Sequence, residues 1–116
     1  MADKAKDFEA ITTGINEGLA GLRGPAADTL QAFSGLAKAA TADGALDKKT
    51  KELIALAIGV AKQCDGCIGF HTKALAKLGA SDEEIAESLS MTVYMGGGPA
   101  LMYAADAWSA WKQVSA

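Results

Sequence analysis

Four residues in this chain have types and spacings suited to redox and proton-transfer chemistry: Glu52, Cys64, Cys67 and His71. Cys64 and Cys67 flank Asp65-Gly66, and residues three apart on a helix lie close enough to form a disulfide. The first turn of a helix also has unpaired backbone N–H groups, which stabilise a thiolate placed there. Cys67 is deeper in such a turn than Cys64 and is the better candidate for that thiolate. His71, the single histidine, follows Cys67 by four residues and shares its helical face. Ile68, Leu75 and Leu78 border that face, which is expected to point inward. A lone histidine on an apolar face is usually a hydrogen-bonded core residue, but a cysteine pair one turn away favours a catalytic reading. Glu52 shares a face with Leu56 and Val60, an apolar setting in which a carboxyl group can exchange protons near neutrality. Its bland alternative is an i, i+4 surface ion pair with Lys48. If the two helices pack antiparallel, Glu52 lies ~16 Å before the turn between them and His71 ~10 Å after it, so the pair can meet directly or through a water.

Other chemistries of a Cys-x-x-Cys pair fit less well. A c-type haem site needs His directly after the second cysteine, where this chain has Ile68. Two thiolates, an imidazole and a carboxylate could complete a zinc tetrahedron, but this spacing is not an ordinary structural-zinc pattern, so no metal and no cofactor is expected. Gly96-Gly97-Gly98 lacks the following Lys-Ser or Lys-Thr of a phosphate loop and reads better as a tight helix break.

The elements that must position these residues are all helical. Phe8, Ile11, Ile15, Leu19 and Leu22 recur at steps of three and four, predicting a helix from Asp3 to Leu22. Gly24 breaks it, and Pro25 suits the first turn of the next helix, whose stripe is Leu30, Phe33, Ala37 and Ala40. Asp47 is a plausible N-cap for a third helix, uncharged from Leu53 to Ala61 and therefore expected to be buried on most sides. A fourth spans Asp65 to Leu78 and stops at Gly79. Ser81 with Glu84 forms a capping box for a fifth, carrying Ile85, Leu89 and Val93. The triple glycine ends it, and Pro99 opens a last helix with Leu101, Ala105, Trp108 and Trp111. The reading is a single all-α domain over residues 1–116, with about six helices.

Composition agrees. The 116 residues include 25 alanines and only seven aromatics, a mixture that favours close-packed helices over sheets. Half the chain is hydrophobic and 22% is charged, so it is not a disordered chain. A net charge of −3 with no basic cluster argues against a nucleic-acid partner. The uncharged run from Ser88 to Ala105 could span a bilayer by length, but its glycines and proline argue for a buried segment, and no membrane association is expected. MADKAKDFEA has no apolar run, so the expected location is cytoplasmic, where a close cysteine pair reads as chemistry rather than scaffold. That long uncharged run also exceeds one buried face, predicting a homo-oligomer whose contact involves Tyr94, Met95, Met102 and Trp108.

The pattern of Glu52, eleven residues, Cys64, two residues, Cys67, three residues and His71 resembles the active-site signature of alkylhydroperoxidase D-like proteins. These belong to the carboxymuconolactone decarboxylase-like superfamily. The resemblance runs from about Asp47 to Trp108 and includes Met95-Gly96-Gly97-Gly98-Pro99, similar to the family's glycine-rich turn. It implies a helical bundle assembled as a trimer or hexamer, and a thiol peroxidase working without metal or haem. By position, Cys67 would be the peroxidatic thiolate, Cys64 the resolving thiol, and Glu52 with His71 the proton relay. Gly66 departs from members with a second histidine at that place. The decarboxylase branch lacks the cysteine pair and fits poorly.

The implied cycle is thiolate attack on a hydroperoxide, a sulfenic acid, then a Cys64–Cys67 disulfide reopened by a dithiol. The resemblance suggests a lipoyl protein or thioredoxin-like donor as that dithiol. Two other functions use the same residues: a protein disulfide oxidoreductase or redox sensor, and a non-catalytic zinc-stapled interaction module.

Overall fold

Three helices of this chain begin where a short polar side chain accepts an orphaned backbone N–H. In the computed structural model, which describes residues 5–115, the helices are α1 (Phe8–Leu22), α2 (Ala27–Thr41), α3 (Lys48–Ala61), α4 (Asp65–Lys77) and α5 (Asp82–Val114). The described residues contain no strand. Asp7 caps α1 by accepting the Ala10 N–H at 3.1 Å, and Asp47 caps α3 through Thr50 at 2.7 Å. The expected capping box is present: Ser81 Oγ accepts from Glu84 N–H at 3.1 Å, and Glu84 Oε1 accepts from Ser81 N–H at 2.9 Å. Two expected starts differ. The first helix begins at Phe8, with Asp3 outside the described residues, because Asp7 takes the cap. The second begins at Ala27, with Pro25 in the preceding turn.

α5 consists of two helical arms that meet at a kink. Gly97 adopts φ 71° and ψ −154°, a conformation open essentially only to glycine. Beyond it the chain turns back, so Trp111 Nε1 near the end of α5 donates to Asp82 Oδ1 at its start, at 2.7 Å. Lys112 binds the other oxygen of Asp82 at 2.8 Å, and these bonds, Lys112 first, hold the Asp82 carboxyl below its ordinary range. The two arms make six rods in all, as the periodicity predicts.

α3 packs against α4 on one side and α5 on another. Leu56, Val60, Ile68, Leu75, Ile85 and Trp111 fill the seam between them. Ala104, Ala107 and Ala110 let the second arm of α5 approach closely. Ser88 Oγ donates to Leu53 O at 2.8 Å, and Thr92 Oγ1 to Ala57 O at 3.3 Å, fixing α5 on α3.

Four burial expectations are corrected. The uncharged run from Ser88 to Ala105 is not a buried segment: Met91, Tyr94, Met95, Leu101 and Met102 on it are all exposed, because only one side of each arm of α5 meets the other helices. The uncharged stretch of α3 is not enclosed: Ile54 and Ile58 are 44% and 52% exposed, because α4 and α5 leave a third side open. Leu78 lies past the end of α4 and is exposed. α2 has no buried residue at all, and Phe33 of its apolar stripe is 67% exposed. With α2 standing off the bundle, the radius of gyration is 14.6 Å, against about 13.4 Å for a compact chain of this length. The surface is 7254 Å², where a compact monomer of this mass exposes about 5,900 Å².

Gly97→Ala is expected to destabilise the protein by roughly 1–3 kcal/mol, since an L residue is strained at that φ and ψ. Gly98→Ala, where an added Cβ meets nothing within 4 Å, is expected to change stability by less than about 0.5 kcal/mol. Urea denaturation of both variants at one fixed protein concentration checks the contrast.

Candidate functional site

The site is built at the joint between α3 and α4. Gln63 takes the left-handed conformation, φ 59°, normally left to glycine at a helix end. Its N–H donates to Val60 O at 3.0 Å and the Cys64 N–H to Gly59 O at 3.0 Å, closing the C-terminus of α3. The chain thereby reverses within three residues and α4 starts at once. Gly79 closes α4 the same way, with φ 75° and a bond from Ala80 N–H to Leu75 O at 3.0 Å.

Cys64 is itself the N-cap of α4. Its Sγ accepts the Cys67 N–H at 3.1 Å. Cys64 and Cys67 are joined as a disulfide, with Cα atoms 5.3 Å apart. The spacing argument for a disulfide holds, but the helix N–H that meets a sulfur meets that of Cys64, the residue at the lip of the turn, rather than the deeper Cys67.

Antiparallel packing of α3 and α4 brings the remaining pair together. Glu52, only 6% exposed, places Oε2 2.6 Å from His71 Nδ1. It meets His71 directly and is not the partner of Lys48. With Glu52 ionised, the shared proton sits on Nδ1 and Nε2 is left to accept or donate another. Cys67 and His71 are neighbours along one face of α4. Further along the seam, a Cβ built on Gly59 would fall 2.8 Å from the Cys67 Cβ. Only a glycine lets α3 and α4 come so close beside the disulfide.

α1 forms the wall next to the cysteines, a role the sequence did not disclose. Ile15 Cδ1 lies 2.7 Å from where a Gly66 Cβ would be, and Thr12 Cγ2 lies 2.6 Å from the equivalent point on Gly69. Gly66 is therefore the residue over which Ile15 packs. Lys73 ties the two helices by donating to Thr12 Oγ1 at 2.8 Å and pairing with Glu9 at 2.9 Å. The signal that could have revealed this contact is Gly66 with Gly69, two glycines three apart on one helix face.

Among the described residues no three His, Cys, Asp or Glu side chains are placed to hold a metal ion. A shallow apolar groove of about 560 Å³ lies between the arms of α5, lined by Leu89, Val93, Leu101, Ala104 and Trp108 among others, and none of Glu52, Cys64, Cys67 and His71 borders it. No described helix is long and apolar enough to cross a membrane.

The carboxymuconolactone decarboxylase family model matches residues 27–110, a stretch containing all four site residues and most of the chain. The chain belongs to the carboxymuconolactone decarboxylase family. A crystal structure of a carboxymuconolactone decarboxylase family protein from Legionella pneumophila is 58% identical and superposes with a TM-score of 0.92, covering 94% of this chain and 97% of that one. A Thermotoga maritima member, described as a candidate for involvement in antioxidative response, is 32% identical with a TM-score of 0.74, covering 93% and 89%. An uncharacterised Cupriavidus necator protein is 46% identical over 103 residues, 87% of this chain and 89% of its own. The family match begins at α2, so α1 and its wall beside the cysteines lie outside it.

Gly59→Ala is expected to cost roughly 1–3 kcal/mol, because the new methyl must push apart two packed helices. Gly66→Ala meets only the mobile end of Ile15, and about 1 kcal/mol or less is expected. Chemical denaturation of the oxidised proteins distinguishes them.

Proposed function

We propose that this carboxymuconolactone decarboxylase family protein is a thiol-dependent peroxidase that reduces organic hydroperoxides. The observation that carries the reading is the Cys64–Cys67 disulfide at the start of α4, one turn from a His71 held by the buried Glu52. In the reduced protein the Cys67 thiolate attacks the distal hydroperoxide oxygen. An S–O bond forms, the O–O bond breaks, and the departing alkoxide takes a proton from the Glu52–His71 pair. Cys64 then attacks the sulfenic sulfur, giving the disulfide and releasing water. An external dithiol restores the thiols by exchange and is itself oxidised to a disulfide. A lipoyl group on a partner protein or a thioredoxin-like donor has the required chemistry, and a cytoplasmic setting would supply it.

The Cys67 N–H fits both halves of this cycle. It supports negative charge on Cys64 when that sulfur attacks, and again when it leaves as the incoming dithiol bonds to Cys67. The likeness to the Thermotoga member with its candidate antioxidative role supports the same reading.

The working form is a homo-oligomer, a trimer or hexamer. Tyr94, Met95 and Met102 are 77%, 78% and 62% exposed. Phe33 and Leu36 of α2 and Ile54 and Ile58 of α3 are exposed as well, and large apolar side chains left in water favour association. Light scattering at micromolar concentration is expected to give a mass of three or six chains; an 11.8 kDa species would refute the assembly.

The peroxidase reading is tested on the reduced protein with one equivalent of cumene hydroperoxide. Two thiols per chain should be lost. Cys64→Ser should leave a dimedone-reactive sulfenic acid on Cys67, while Cys67→Ser should consume peroxide no faster than the background reaction. Glu52→Gln and His71→Gln should each slow peroxide consumption by about 10²-fold while remaining folded. Inert thiols in the parent protein would sink the proposal, and sulfenic acid on Cys64 in the Cys67 variant would reverse the two cysteine roles.

A further inference from the structure

The segment before α1 is fastened to the end of α5 and reaches Asp65 in the first turn of α4. Gln113 receives the Phe8 N–H on Oε1 at 3.1 Å and donates from Nε2 to Lys6 O at 2.8 Å. This clamp aims the Lys6 side chain at the first turn of α4. Its ammonium lies 3.0 and 3.1 Å from the two oxygens of Asp65 and 2.9 Å from Asp106 Oδ2, and it sits 5.0 Å from the centre of the Tyr103 ring. Asp106 first, and then Asp65, hold the ammonium above its ordinary range.

Asp65 occupies the first position of α4, directly after Cys64 and two residues before Cys67. A carboxylate there suits the helix N-terminus. It also places a negative charge beside two thiols that must ionise to react, and so opposes the thiolate. The other charged or titratable groups around the joint are Glu52 on α3, Lys62 in the turn, and His71 on α4. Glu9 of α1 pairs with Lys73 of α4, and Asp106 comes from α5. Glu52 is engaged by His71, and Lys6 is the cation that contacts both oxygens of Asp65. We propose that Lys6 is a positioning residue that sets the ionisation of the Cys64–Cys67 thiols by neutralising Asp65. The inference rests on the reading above only in taking the reduced thiols to be the reactive groups, whatever their oxidant.

The test uses the full-length reduced protein and no peroxide, so its failure and that of the peroxidase reading are separable. Iodoacetamide alkylation is followed against pH, with mass spectrometry reporting which cysteine reacts. Lys6→Met should raise the apparent midpoint by about half to one unit and slow alkylation three- to tenfold at pH values below it. Lys6→Arg should retain the parent profile. Asp65→Asn in the Lys6→Met background should bring the midpoint back down, and Asp65→Asn alone should move it below the parent's. High salt should narrow the differences, since these charges are partly exposed. A Lys6→Met profile superimposable on the parent's would overturn the proposal. So would a double variant that keeps the Lys6→Met profile, because the lost function would then be the fastening rather than the charge. Should Lys6→Met fail to fold, Asp65→Asn alone decides: an unchanged midpoint rejects the role.

Discussion

The contact of α3 with α4 at Gly59 and Cys67 sets the geometry on which the rest of the site depends. A side chain as small as a methyl group at position 59 would meet the Cys67 Cβ, so the two backbones run at a separation that only glycine permits. That separation lets Glu52 reach His71 directly from two turns earlier on α3. The connection is short: Gln63 takes a left-handed conformation, which lets the chain reverse between the two helices within three residues. Glu52 can be buried because its charge has a partner; without the imidazole it would be a desolvated, unpaired ion.

Polar groups elsewhere in the interior follow the same rule. Thr12 donates to Phe8 O at 3.0 Å and Thr72 to Ile68 O at 2.8 Å, each within its own helix. Thr12 additionally accepts from Lys73, so one hydroxyl serves both its own helix and the neighbouring one. Among the described residues, no buried side-chain nitrogen or oxygen is left without a hydrogen-bond partner. The joint between α3 and α4 is therefore enclosed by satisfied polar groups and close apolar packing, with α1 as its outer wall.

Local chemistry made much of this legible in the sequence. Asp47 and the Ser81–Glu84 box mark helix starts because capping is a matter of adjacent residues. Gly79 and Gly97 mark a stop and a reversal because few other residues can take their conformations. The quartet of Glu52, Cys64, Cys67 and His71 was readable because helical spacing projects those residues onto facing sides of two neighbouring helices. What the pattern does not encode is which apolar faces find a partner. Phe33 and Ile58 look like core by periodicity and are exposed, because burial depends on how many helices surround a given side. The sulfur that receives the N-terminal amide also depended on which cysteine became the cap, a detail of one or two residues at a helix boundary. Lys6 could not be found at all: its carboxylates lie on α4 and α5, and nothing local to it announces either.

The folding back of α5 at Gly97 makes helical phase a strict requirement on chain length. Each residue added within either arm rotates everything beyond it by roughly 100° about the helix axis. One insertion between 98 and 104 would swing Ala104, Ala107, Ala110 and Trp111 out of the core together and carry the indole away from Asp82. Only about seven residues, close to two whole turns, would restore the facing side, and those would lengthen the rod by roughly 10 Å past its partner. The turns at 23–26 and 42–47 carry no such phase, since α2, the helix between them, packs only lightly on the bundle. Length variation among relatives should therefore collect around α2, while the spacing from the redox pair through Trp111 stays constant.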